Sequence, residues 1–120
     1  MSSTNTLYAG QALVPGGKLV STNGKYVLIY QKDGNLVGYA ASTPFWASGP
    51  QTASPLMAVM QADGNFVLYD VKMNQYWASN TGGVGNPPNF KIFMQDDRNI
   101  VIYDNDHKPT FASNTDTPGN

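Results

Sequence analysis

Three nonapeptides carry the residue types that could meet a hydroxylated ligand: QKDGNLVGY at 31–39, QADGNFVLY at 61–69 and QDDRNIVIY at 95–103. Each follows Gln-x-Asp-x-Asn-x-Val-x-Tyr, and their starts lie 30 and 34 residues apart. The fixed side chains supply a carboxylate acceptor, two amides that donate and accept, and a phenol that does both. Valine adds methyl surface. Adjacent hydroxyls on a sugar ring ask for this mixture, with the methyls against a C–H face, whereas a phosphate asks for cations or free amides.

The five fixed residues share one sequence parity. A hairpin turn at the Asp lays the two arms side by side and brings the Gln across from the Asn-to-Tyr strand. Gln31, Asp33, Asn35, Val37 and Tyr39 then converge on one patch, as do Gln61, Asp63, Asn65, Val67 and Tyr69, and Gln95, Asp97, Asn99, Val101 and Tyr103. A turn alone accounts for Asp and Asn, which often bond their own backbone. It does not account for a Gln before the Asp and a Tyr after the Asn, kept three times while the intervening positions drift among Leu, Phe, Ile and Gly. The constellation reads as a binding site; for the valines, β propensity explains the choice equally well.

Catalysis lacks parts. Each unit has one repeated Asp, and the nearby Asp70 and Asp96 have no counterpart in every unit, whereas glycoside hydrolysis normally requires paired carboxylates across a cleft. The lone histidine, His107, sits in a DNDHKP turn and reads as a solvated loop residue, with no Cys or second His to complete a triad or a metal site. Asp104 and Asp106 have oxygens for calcium but lack the longer alternating loop that such a site needs. No enzyme activity, metal or cofactor is expected.

Strands must position these residues. Tyr26, Leu28 and Tyr30 alternate with Val27, Ile29 and Gln31, and the same period of two recurs over 56–61 and 90–95. Each hairpin is followed, 15 or 16 residues after its Gln, by a large aromatic, Trp46, Trp77 or Phe111, and then by Ala-Ser. Gly and Pro punctuation leaves no helix, and 49–55 and 81–89 read as linkers between units. A unit of about 30 residues cannot bury its apolar face alone, but three closed around one axis share a core. Leu36, Phe66, Leu68, Ile100, Ile102 and the three aromatics are the inward candidates. Two positions break the repeat: Gly38 stands where the other units have Leu68 and Ile102, and Arg98 where the other turns have Gly.

The 120 residues suit one all-β domain, 1–120, with 7 Lys or Arg against 8 Asp or Glu and a net charge of -1. Its polarity comes from 12 Asn and 17 Ser plus Thr. Scattered lysines give no stripe for nucleic acid, and no stretch approaches the ~20 apolar residues of a membrane span. The N-terminal residues show no export signal and the chain has no cysteine, which favours a cytoplasmic location while leaving secretion of a mature form open.

In every fixed position the three motifs resemble those of the bulb-type mannose-binding lectins, the snowdrop agglutinin family. The resemblance runs from LYAGQAL at 7–13 through ASNTGG at 78–83 to ASNT at 112–115. It implies a β-prism of type II, three four-stranded antiparallel sheets around a pseudo-threefold axis with one aromatic per unit in the central core. It also implies metal-independent binding of terminal α-mannose in glycan recognition or defence. Asp33 and Asn35 would take the 2-hydroxyl, Gln31 the 3-hydroxyl and Tyr39 the 4-hydroxyl, with Val37 against the ring, and likewise in units two and three. Members often form homodimers by exchanging C-terminal strands, here PTFASNT at 109–115. The chain departs from the common plant form in lacking its disulfide, with Gly34 at one cysteine position, and in carrying Phe111 for a Trp. Some members have lost sugar sites and act as protein-binding or antibacterial modules, which is the alternative reading.

Overall fold

The computed structural model describes residues 4–117. Among them are strands β1 (Thr6–Tyr8), β2 (Ala12–Leu13), β3 (Lys18–Val20), β4 (Tyr26–Tyr30), β5 (Leu36–Ala40), β6 (Thr43–Ala47), β7 (Pro55–Met60), β8 (Phe66–Asp70), β9 (Gln75–Ala78), β10 (Lys91–Met94), β11 (Ile100–Tyr103) and β12 (Pro109–Ala112), with no helix among the described residues. They form three four-stranded sheets, β3-β4-β5-β6, β2-β7-β8-β9 and β1-β10-β11-β12, in which the mapped pairings are antiparallel. This is the expected all-β, three-sheet architecture. The fourth strand of each sheet comes from outside its repeat: the first 20 residues visit the sheets of units three, two and one in turn.

Each repeat contributes a tight hairpin and a returning strand. Gly34 N–H donates to the Gln31 carbonyl and Gln31 N–H to the Asn35 carbonyl, both at 2.9 Å, with Gly34 at φ 87°. That is a type I turn closed by a left-handed residue, the three-residue hairpin solution. Gly34 is required twice over, since a Cβ there would lie 2.7 Å from the backbone nitrogen of Thr52. Unit three builds the same turn with Arg98 at φ 77°.

A second irregularity also repeats. The pairing of β5 with β6, β8 with β9 and β11 with β12 shifts register just before the motif tyrosine, leaving Phe45, Tyr76 and Thr110 as the extra residues. A bulge of this kind bends the strand and re-aims the side chains beside it. Phe45 and Tyr76, as well as the aromatic that follows each, thereby pack against the core.

Leu19, Leu28, Tyr30, Leu36, Met60, Phe66, Leu68, Ile92, Met94, Ile100 and Ile102 fill the interior from all three sheets. Each such side chain contributes about 1.5–3 kcal/mol by leaving water. Trp46, Trp77 and Phe111 meet one another edge to face, with centroids 5.9, 6.3 and 6.4 Å apart. They are only half-buried and pack against the fully buried cluster instead of forming part of it. The space opposite Gly38 is not a void: a Cβ there would fall 2.7 Å from the Phe45 ring, which fills it and meets Tyr26 edge to face at 6.1 Å.

Candidate functional site

Each hairpin brings its Gln and Tyr into direct contact. Gln31 Nε2 donates to the Tyr39 hydroxyl at 2.6 Å, Gln61 to Tyr69 at 2.7 Å and Gln95 to Tyr103 at 2.6 Å. With its oxygen accepting from the amide, each phenol keeps its own proton to give. All six side chains are half-buried, their polar ends held beside the turn.

The aspartate has two uses. One oxygen accepts the backbone N–H of the Asn two residues on, at 2.9 Å in all three units, which closes the Asx turn. The second oxygen of the same carboxylate is the acceptor that the turn leaves for a ligand.

Asparagine is oriented by the strand that returns. Asn35 Oδ1 accepts from Ser48 Oγ at 3.1 Å and from Gly49 N–H at 3.0 Å. Asn65 Oδ1 accepts from Ser79 Oγ and Thr81 N–H, and Asn99 Oδ1 from Ser113 Oγ and Asn114 N–H. Because a backbone N–H can only donate, it fixes the amide's orientation and turns Nδ2, with its two protons, away from the loop. The three serines were legible only as the repeated Ala-Ser after each aromatic, a pattern without a role until Ser48, Ser79 and Ser113 are seen to accept from Leu36, Phe66 and Ile100 N–H while donating to the Asn.

In all three units the motif Gln is thus paired with the motif Tyr, and the motif Asp with the motif Asn. Val37, Val67 and Val101 are 4, 0 and 3% exposed and stand apart from the interior apolar cluster. The turn carbonyl is also satisfied in every unit, by different donors: Thr81 and Thr115 hydroxyls bond the carbonyls of Gly64 and Arg98, whereas the Tyr76 phenol bonds that of Gly34 at 2.7 Å. Tyr76 in turn bonds Tyr30 at 2.8 Å. Burial pushes both phenols above their ordinary titration range.

Unit three has an aromatic flank. His107, exposed at the tip of its loop, stacks flat on Tyr103 with centroids 4.3 Å apart, and Phe93 meets Tyr103 edge to face at 5.6 Å. The expected solvated loop residue thus also braces a motif tyrosine. Asp104, read as a weak calcium candidate, spends its carboxylate on the N–H groups of Asn86, Asp106 and Lys108, and it is buried.

Comparison with known proteins gives one consistent picture, although no protein-family profile matches the chain. A mannose-specific lectin of Narcissus pseudonarcissus is 45% identical over 71 residues, covering 58% of this chain and 63% of that one. The chain spans about half the length of the similar lectin of Narcissus tazetta, at 50%. Among solved structures, a monomeric monocot mannose-binding lectin from Gastrodia elata superposes with a TM-score of 0.86 at 39% identity, covering 95% of this chain and 100% of that one. The mannose-specific agglutinin of snowdrop, Galanthus nivalis, complexed with methyl-α-D-mannoside, gives 0.77 at 40% identity, covering 94% and 98%.

Proposed function

The chain belongs to the bulb-type mannose-binding lectin family, and on that premise we propose that it is a lectin that binds terminal α-mannose at three sites, one per hairpin, without a metal ion. The supporting observation is the threefold recurrence of one hydrogen-bonding state: among the described residues a carboxylate oxygen, an asparagine Nδ2, a phenolic proton and a glutamine Oε1 are left over after the internal bonds are made. Those leftovers alternate acceptors with donors. Vicinal sugar hydroxyls, which need one of each, match them without a cation to bridge.

In this reading Asp33 accepts from and Asn35 donates to the axial 2-hydroxyl, Gln31 meets the 3-hydroxyl and Tyr39 the 4-hydroxyl. Val37 lies against the ring. Asp63, Asn65, Gln61, Tyr69 and Val67 act alike in unit two, as do Asp97, Asn99, Gln95, Tyr103 and Val101 in unit three. A small open site of this kind binds at about millimolar strength, near -4 kcal/mol. Three sites on one chain raise avidity for dense glycans by ~10²–10⁴ where geometry permits simultaneous engagement.

The test is isothermal titration with methyl α-mannoside, with and without EDTA, on the parent and on the triple variant Asp33→Ala, Asp63→Ala, Asp97→Ala. Heat from the parent, unchanged by EDTA and lost in the variant, is expected. A silent parent, or equal heat from both proteins, contradicts the assignment.

A further inference from the structure

An asparagine outside the motifs is bonded to one of them. Asn23 tops the β3–β4 hairpin, at the far end of β4 from the turn of site one, and its bonds cross to unit three. Its backbone N–H donates to Asp96 Oδ1 at 2.8 Å and its Nδ2 to the Asp96 carbonyl at 3.2 Å. Asp96 precedes Asp97 inside the turn that Gln95 N–H closes on the Asn99 carbonyl and Arg98 N–H on the Gln95 carbonyl. The same position holds Lys32 in unit one and Ala62 in unit two, neither of which has an acceptor in its side chain. The tie is a property of site three.

Asn23 is also the asparagine best placed to lose its amide. It is followed by Gly24, in the chain's one Asn-Gly pair. Amide loss begins when the backbone nitrogen of the next residue attacks the side-chain Cγ, and glycine leaves that nitrogen unshielded. The motif asparagines are followed by Leu36, Phe66 and Ile100, and Asn86 by a proline without an N–H. Residues 22–25 are exposed, and a Cβ built on Gly24, at φ 77°, would meet nothing within 4 Å. Gly24 N–H is bonded to the Ser21 carbonyl at 2.9 Å, and this exposed turn opens to release it without disturbing the core. Ser21 Oγ and Lys25 N–H donate to Asn23 Oδ1 at 2.7 and 3.0 Å. They draw charge from Cγ and stabilise the oxygen on which negative charge develops during attack.

We propose that Asn23 is a deamidation site and that its conversion weakens sugar binding at site three, a consequence that rests on the mannose reading above. The Gly24 nitrogen bonds to Cγ as it gives up its proton, ammonia leaves, and the resulting succinimide takes up water at either carbonyl to give aspartate or isoaspartate. Either product loses the Nδ2 donor and gains a carboxylate beside Asp96. Isoaspartate also lengthens the backbone by one carbon and displaces the residue-23 N–H from Asp96 Oδ1. Attraction becomes repulsion, and the turn that presents Asp97 loses its tie to unit one.

Two measurements test this. The parent protein, held in mildly alkaline buffer and peptide-mapped by mass spectrometry, is expected to deamidate at Asn23 ahead of every other asparagine, and Gly24→Ala to abolish that lead. For binding, site three is isolated by Asp33→Ala with Asp63→Ala, and site one by Asp63→Ala with Asp97→Ala. Asn23→Asp, which stands for the aspartate product, is expected to weaken methyl α-mannoside binding about threefold in the site-three protein, read by isothermal titration. Adding Asp96→Asn recovers part of that loss, and the site-one protein is unchanged by Asn23→Asp. Asn23 reacting no faster than the other asparagines overturns the modification site. Unchanged affinity at site three, or equal weakening at site one, overturns its effect on binding. If neither protein binds methyl α-mannoside before Asn23 is substituted, the lectin reading falls and the effect on binding with it, while the peptide map still decides the modification site.

Discussion

Units one and three present the same five side chains on differently built supports. In unit one, Gly34 closes the turn, the turn carbonyl is held by a phenol from unit two, and Phe45 fills the space left by Gly38. In unit three, Arg98 closes the turn, the carbonyl is held by Thr115, and Arg98 Nε donates to the Thr115 carbonyl at 2.8 Å. The Arg98 guanidinium then lies 5.5 Å from the centre of the Phe45 ring. What recurs is the satisfied hydrogen bond and the filled volume, not the residue that supplies them. Site one depends on its neighbour, whereas site three is largely self-supported, and Phe45 ties the two together.

Removing Phe45 tests that link most severely. Phe45→Ala opens a hole and is expected to cost about 2–4 kcal/mol, read as a fall in the denaturation midpoint. Adding Gly38→Leu, which by itself overpacks the ring, is expected to recover part of that loss, so the pair is strongly non-additive in a double-mutant cycle. Additive effects would mean that the two positions do not share one volume.

Tyr76→Phe separates the units functionally. It leaves the Gly34 carbonyl without its phenol donor and the Tyr30 hydroxyl with the Tyr69 carbonyl at 3.3 Å, for about 1–3 kcal/mol. Methyl α-mannoside binding at site one should weaken while that at site three stays. Equal weakening would show that unit one is not the more dependent site.

Asp104 has no counterpart in unit one, where Ala41 and Ser42 alone join β5 to β6. The backbone N–H of Asn86, with those of Lys108 and Asp106, holds its carboxyl below the usual range. A depressed carboxyl stabilises the fold above the unfolded value near pH 4, and that contribution disappears as pH falls through the lowered one. Asp104→Asn should therefore lower the thermal midpoint at pH 7, with the difference from the parent closing in strong acid. Arg98→Gly is the mildest change. Relief of the left-handed backbone offsets the lost contacts to within about 1 kcal/mol, visible as a nearly unshifted midpoint.

Much of this was legible in the sequence because identity repeated at matched offsets. The repeat placed Leu36, Phe66, Leu68, Ile100 and Ile102 inside, and the threefold Gln, Asp, Asn and Tyr marked the residues that each hairpin joins in hydrogen-bonded pairs. Arg98 stood out against the glycines at 34 and 64, but whether it kept their left-handed backbone was open in the sequence and is answered by its φ of 77°. Other features had no local signature. The entry of β1 and β2 into the sheets of units three and two depends on pairing across up to about 90 residues, which no window of periodicity reports. The bulges at Phe45 and Tyr76 put two consecutive residues toward the interior, against the strand period, so Phe45 could not be matched to Gly38 by parity. Ser48, Ser79 and Ser113 repeated as plainly as the motif, but a serine in Ala-Ser has many roles until its partners are known.

The central claim is that the asparagine Nδ2 protons are free donors aimed at a ligand. Side-chain amide resonances of Asn35, Asn65 and Asn99, followed by NMR during titration with methyl α-mannoside, test it directly. The account predicts that all three NH₂ pairs shift saturably, while those of Asn105 and Asn86 do not move. Three unmoving pairs at saturating sugar would contradict it.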